Sequence, residues 1–125
     1  MSMSTIGVPL EGFGVYCRAA AAEGAVLLKN EGHMFPLKKE EMVSVFGRCQ
    51  FETYRSGTGS GGAVNVPYAV NIYDGMRESG SFTLNEELAD IYRAWLKDHP
   101  FDNGGGGWAA EPWHQKEMVI TEEIA

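Results

Sequence analysis

Two stretches, Glu23-Gly-Ala-Val-Leu-Leu-Lys-Asn30 and Ser56-Gly-Thr-Gly-Ser-Gly-Gly62, carry most of the information about the fold. The first follows a run of four alanines and supplies three adjacent apolar residues, so a helix is predicted over about 15–30. Gly32 is placed to end that helix, and Pro36 prevents its continuation. The second stretch predicts a glycine-rich loop, because glycine adopts positive φ without steric cost.

The rest of the chain alternates short apolar runs with helical patterns. We predict that residues 1–14 form an irregular lead-in and that residues 15–125 form a single incomplete domain. Within it we predict strands over 42–47 and 81–84, a loop over 48–66, helices over 67–79 and 86–97, and the first turn of a further helix over 121–125. This order predicts an α/β fold with a mostly parallel sheet.

Composition limits the possible partners. The chain has 125 residues, 44% of them hydrophobic, and a net charge of −7. Its second half carries most of the acidity, with eleven Asp and Glu against four Lys and Arg over residues 64–125. Nucleic acids and anionic membranes call for basic patches, so neither is expected as a partner. No secretory signal or membrane-length apolar run is visible, which predicts a cytoplasmic chain.

Cysteine and histidine patterns predict neither a metal nor a cofactor. Cys17 and Cys49 do not form a zinc-type pair, and both are interpreted as small buried residues. His33, His99 and His114 do not cluster and are interpreted as surface residues. No nucleophile-elbow motif is present, and the adjacent glutamate pairs diverge on a helix or strand.

The glycine stretch also fits a nucleotide-binding pattern. Gly57 to Gly62 matches G-x-G-x-x-G, but no lysine follows on the next strand as a kinase would need. The dinucleotide form requires the glycines directly after the strand, whereas about ten residues separate Gly47 from Gly57. Two interpretations remain open beside the nucleotide cradle, and both are favoured over it. One is a flexible surface loop. The other is a loop that closes over a ligand, because ligands gather at the carboxyl ends of parallel strands.

Several segments, taken together, resemble glycoside hydrolase family 3, the β-glucosidase-type enzymes. The matching segments are Arg18–Gly32, Phe35-Pro-Leu37, Val43-Ser-Val-Phe-Gly-Arg48, Tyr54–Gly62 and Val70-Asn-Ile-Tyr-Asp-Gly-Met-Arg77. They are similar in order and spacing to the start of the family's α/β sandwich domain. The resemblance is specific over residues 15–80 and loose over 81–125. It implies a three-layer sandwich with a mostly parallel sheet, of which this chain holds only part.

The resemblance also implies a function. Family members are retaining, exo-acting glycosidases that cleave β-linked sugars with two carboxyl groups. The family's nucleophilic Asp lies on a barrel domain and its acid/base Glu later in the sandwich, so neither has a counterpart here. If Met1 is the natural start, the parent resembles the subgroup in which the sandwich precedes the barrel. The resemblance also implies that the glycine-rich loop borders the sugar site. Arg55 and Ser60 are the expected sugar contacts, and the glycines of the loop are Gly57, Gly59, Gly61 and Gly62.

Three hypotheses therefore remain open. The first is a catalytically inactive fragment of a β-glucosidase-type enzyme, with a β-linked glycoside or oligosaccharide and the parent's barrel domain as partners. The second is a stand-alone carbohydrate-binding or protein-interaction module. The third is nucleotide binding through the glycine loop. In every case an incomplete parallel sheet exposes a strand edge, so self-association is expected.

Overall fold

A computed structural model describes residues 10–53, 68–102 and 115–124. The chain divides into two compact units, Met1–Pro36 and Leu37–Ala125. The boundary predicted between a lead-in, residues 1–14, and a domain, residues 15–125, is a different division and stays a prediction. Within the described ranges, every helix is too short or too polar to cross a membrane.

The first unit contains one helix, α1, Phe13–Glu23. The predicted helix over 15–30 is therefore wrong at its carboxyl end, because the helix stops at Gly24 and residues 25–30 are not helical. Leu27 and Leu28 are 62% and 91% exposed, so the expected apolar face is not buried within this unit. Gly32 lies instead in a short 3-10 turn, Glu31–His33, with a φ of 72°.

The second unit contains a parallel β-α-β arrangement. Its strands are β1, Met42–Val43, and β2, Thr83–Leu84, which pair in parallel with Met42 opposite Thr83. Helix α2, Ile72–Ser79, connects them, and α3, Glu86–Asp98, follows β2 directly. The α/β class with a parallel sheet is thus confirmed, although both strands are shorter than predicted.

Asparagine side chains fix where the two helices of this unit begin. Asn71 accepts a hydrogen bond from the backbone N–H of Asp74, and Asn85 accepts one from that of Leu88. Each cap satisfies a donor that a helix start leaves unpaired. The helix predicted from residue 67 therefore begins at Ile72, while the one predicted over 86–97 is confirmed with one residue added.

Two apolar clusters form the core of the second unit. One contains Tyr73, Leu84 and Ala89, against which Val43 of β1, Val45 and Phe51 pack. The other contains Leu88, Tyr92 and Met118, with Trp95 among its partly buried neighbours. Helix α3 supplies part of both clusters, Ala89 in the first and Leu88 and Tyr92 in the second.

Both cysteines are exposed, so their predicted burial is wrong. Cys17 lies on α1, none of whose residues is buried. Cys49 lies in the 3-10 turn Arg48–Gln50, where its two neighbours are buried and it alone faces outward. Successive side chains of this turn point in different directions, and this geometry rather than the polarity of the thiol leaves Cys49 exposed.

Candidate functional site

The sugar-site residues predicted from the sequence lie outside the described part of the chain. Arg55, Ser60 and the glycines at positions 57, 59, 61 and 62 all fall within residues 54–67. The structure does describe the chain on either side, from the carboxyl end of β1 to Thr53 and from Tyr68 into α2. These flanking residues fix where the predicted loop begins and returns.

Thr53 joins the two sides. Its hydroxyl Oγ1 accepts a hydrogen bond from the backbone N–H of Ile72 at 3.1 Å and donates one to the carbonyl of Cys49 at 2.7 Å. A cavity of about 170 Å³ opens beside this junction between Phe51–Thr53 and Ala69–Asn71. The described residues on the two sides of positions 54–67 therefore lie close together.

Four residues after β1 the chain turns at Gly47, whose φ of 95° lies in the region that favours glycine. Its N–H donates to the hydroxyl of Tyr92 on α3 at 2.8 Å. The side chain of Gln50 donates to the carbonyls of Val45 and Gly47 at 3.0 and 3.1 Å. Beyond the end of β2 the described part of the chain has no strand N–H groups available to these carbonyls, and the side-chain amide of Gln50 supplies the hydrogen bonds instead.

Arg48 follows this turn and is 3% exposed. Its Nε and Nη2 donate to Oε2 of Glu52 at 2.9 and 2.6 Å. Nη1 donates to the carbonyl of Lys116 at 2.7 Å, and Nη2 donates a second bond to the carbonyl of His99 at 2.8 Å. One guanidinium therefore ties together three segments that are far apart in sequence.

Two further side chains, those of Glu117 and Trp95, complete a group that we call the Arg48 cluster. It contains Arg48, Glu52, Trp95, His99, the Lys116 carbonyl and Glu117. Oε2 of Glu117 accepts from the backbone N–H of Arg48, and its Oε1 accepts from that of Met118, both at 2.8 Å. The guanidinium lies 5.5 Å from the Trp95 ring, which stacks on the His99 ring at 4.1 Å. His99, expected at the surface, is half-buried by this stacking.

A second arginine, Arg93, lies over two aromatic rings. The Arg93 guanidinium is 4.9 Å from the Phe51 ring and 5.0 Å from the Tyr73 ring, and it donates to Asp90 at 2.7 Å. The hydrogen bond to Asp90 raises the pKa of Arg93, so the side chain stays charged. Burial, with the nearby Glu86 carboxylate second, raises the pKa of the Tyr73 hydroxyl above its ordinary 10.0.

Within the described ranges, no three His, Cys, Asp or Glu side chains come together as they would around a metal ion. The Arg48 cluster was not among the predicted site residues. The sequence indicates it in one way, since an arginine directly follows an apolar strand and a glycine. A charged side chain buried at such a position requires hydrogen-bond partners. One partner, Glu52, lies four residues away, but the two carbonyl partners lie 51 and 68 residues away, and no local pattern indicates them.

A parallel β-α-β unit followed by a further helix defines a protein of the α/β class. The family model of the glycosyl hydrolase family 3 C-terminal domain matches residues 25–120. The chain therefore belongs to this family, as its sequence motifs predicted.

Known β-glucosidases are similar to the chain. A Ruminococcus albus β-glucosidase is 48% identical over 103 residues, which cover 82% of this chain and 11% of that enzyme. β-glucosidase A of Butyrivibrio fibrisolvens is 35% identical over 63% of this chain and 10% of its own length. The crystal structure of a Paenibacillus barengoltzii β-glucosidase superimposes with a TM-score of 0.88 at 66% identity, over 98% of this chain and 13% of that one. The chain thus spans about a tenth of the length of its relatives.

Proposed function

We propose that the chain is one part of a retaining, exo-acting β-glucosidase-type enzyme whose substrate is a β-linked glycoside or oligosaccharide. The observation that carries the proposal is the 66% identity to the Paenibacillus barengoltzii β-glucosidase over 98% of this chain. The 48% identity to the Ruminococcus albus enzyme supports the same substrate class. A cytoplasmic location is part of the proposal, and fractionation of the source cells tests it.

The chemistry of the proposed reaction requires residues from outside this chain. Retaining glycosidases place two carboxyl groups about 5–5.5 Å apart, one as nucleophile and one as general acid/base. In the family these belong to the barrel domain and to a later part of the sandwich. We therefore propose that the barrel domain is the partner of this chain and that the chain alone carries neither carboxylate.

The proposed contribution of this chain is one wall of the sugar site. Arg55 and Ser60 would donate to sugar hydroxyls from the glycine-rich segment. The junction between Thr53 and Ile72 supports this role, because it anchors that segment at the carboxyl end of β1. Ligands of open parallel sheets bind at that edge.

The first test compares two proteins, the 125-residue chain and the full-length product of its gene, on an aryl β-glucoside. We expect turnover by the full-length protein and none by the chain. Turnover by the purified chain would contradict the proposal. Binding of a free sugar by the chain in calorimetry, with a cooperative melting transition, would favour the stand-alone binding module instead.

A second prediction concerns Arg55. In the full-length protein, Arg55→Met removes the proposed sugar contact, so we expect KM for the glucoside to rise about tenfold, the effect of losing about 1.4 kcal/mol of binding. Arg77→Met is the matched control, because Arg77 is exposed and pairs with Asp74 on α2. Equal KM values for the two variants would remove Arg55 from the site.

A further inference from the structure

The Arg48 cluster places a charged side chain where an apolar one would serve packing equally well. Replacing a buried ion pair by apolar residues of similar volume is often neutral or stabilising, so burial of Arg48 is not explained by stability. The guanidinium fixes the directions of its hydrogen bonds, because its N–H groups form a rigid planar fork. That fork fixes Glu52, the His99 carbonyl and the Lys116 carbonyl relative to one another.

The hydrogen-bonding groups of the cluster are used inside the chain. The guanidinium makes four hydrogen bonds, to one carboxylate and two carbonyls. Both carboxylate oxygens of Glu117 accept backbone N–H groups. The polar groups of the cluster therefore hold the backbone around them in place.

We propose that Arg48 is a positioning residue of the sugar site. It locks the residues from Gly47 to Glu52 at the carboxyl end of β1 against the end of α3 and the segment around Lys116. This inference rests on the proposed function, because it assumes that the sugar lies at this edge of the sheet. Arg48 acts through the backbone and makes no contact with the substrate.

The size of the effect follows from how strongly catalysis depends on geometry. A displacement of about 1 Å from a change remote from the reacting atoms costs up to a hundredfold in rate. Lysine keeps the charge of Arg48 but presents a single ammonium, which cannot hold three acceptors in one plane. We therefore expect Arg48→Lys to lower kcat/KM on an aryl β-glucoside about tenfold or more.

The experiment uses the full-length protein and measures kcat, KM and melting temperature for each variant. Leu84→Ala is the control, because Leu84 is buried on β2 and its truncation lowers stability without touching the Arg48 cluster. We expect Leu84→Ala to lower the melting temperature while kcat/KM, assayed well below melting, stays within twofold of wild type. Arg48→Lys should lose activity beyond what its own change in melting temperature explains.

Glu52→Gln keeps the inference testable if Arg48→Lys does not fold. It leaves an acceptor for the guanidinium but removes the charge, so we expect a smaller loss of kcat/KM in the same direction. A kcat/KM within twofold of wild type in every folded variant of the pair would overturn the inference, and so would an equal loss in Leu84→Ala. An inactive wild-type protein would instead overturn the proposed function, so the two failures are distinguishable.

Discussion

Tyr73 and Tyr92 are both 1% exposed, but their hydroxyl groups have different surroundings. Tyr92 accepts a hydrogen bond from the N–H of Gly47. Among the described residues, the Tyr73 hydroxyl has no hydrogen-bond partner. A buried polar group without a partner costs about 1–3 kcal/mol, whereas a paired one contributes about 1 kcal/mol.

These surroundings predict opposite effects for two equivalent substitutions. Tyr73→Phe removes an unpaired hydroxyl, so we expect the free energy of unfolding at pH 7 to stay equal or rise. Tyr92→Phe leaves the Gly47 N–H unpaired and should lower it by about 1–3 kcal/mol. Urea unfolding of the two variants measures the difference. A larger loss in Tyr73→Phe than in Tyr92→Phe would contradict this account.

The raised pKa of Tyr73 adds a dependence on pH. The folded chain holds the hydroxyl proton more tightly than the unfolded chain, whose tyrosine has the ordinary pKa of 10.0. Unfolding therefore releases a proton once the pH exceeds about 10, and the free energy of unfolding falls as pH rises from there. Tyr73→Phe should show a weaker fall over that range than wild type.

At the scale of the element, α1 shows why the sequence prediction failed. Residues 15–30 have a continuous helical pattern, but Gly24 costs about 1 kcal/mol relative to alanine in a helix interior. No tertiary contact within its unit compensates, since none of the α1 residues is buried. The helix therefore ends at its weakest residue.

Substitution of Gly24 tests this explanation. Its φ of −75° is helical, and a Cβ there would meet carbonyls no closer than 3.5 Å. We expect Gly24→Ala to extend α1 and to raise the helical circular dichroism of a peptide spanning residues 10–36. Gly32→Ala is the control and should not raise it, because the φ of 72° at Gly32 strains any residue with a Cβ. Equal signals from the two peptides would contradict the explanation.

The sequence predicted what depends on local pattern and missed what depends on distant partners. The parallel strands, the helix from Glu86 and the family motifs are read from residues a few positions apart. The Arg48 cluster was missed because, apart from Glu52 four residues away, its acceptors come from the end of α3 and from residues 116 and 117. Backbone carbonyls are present at every residue, so their use by a buried arginine leaves no trace in the sequence.

At the scale of the whole molecule, residues that alternate along β1 and beyond it differ in exposure within the described part of the chain. Val43 and Val45 pack on the cluster around Tyr73, whereas Met42 and Phe46 are 68% and 55% exposed. Parallel sheets occur almost only where both faces are covered. The exposed face and the strand edges beside it are the features from which we expect the isolated chain to self-associate.

A double substitution tests this expectation. Met42→Thr with Phe46→Thr keeps residues that favour strands but removes the exposed apolar surface, so we expect less self-association of the isolated chain in sedimentation velocity. Val119→Thr removes a 78% exposed residue elsewhere and should change little. In the full-length protein the same double substitution should lower the melting temperature, because other parts of the enzyme would cover this face. No change in either protein would contradict both expectations.

The parallel register of β1 and β2 has a consequence during protein synthesis. Met42 pairs with Thr83, which lies 41 residues later in the chain. At a translation rate of roughly 5–20 residues per second, β1 leaves the ribosome about 2–8 s before its partner. Throughout that interval Val43 and Val45 are without the strand and most of the cluster that later shield them. The nascent chain therefore exposes an apolar segment for a time that is set by the speed of the ribosome rather than by the stability of the fold.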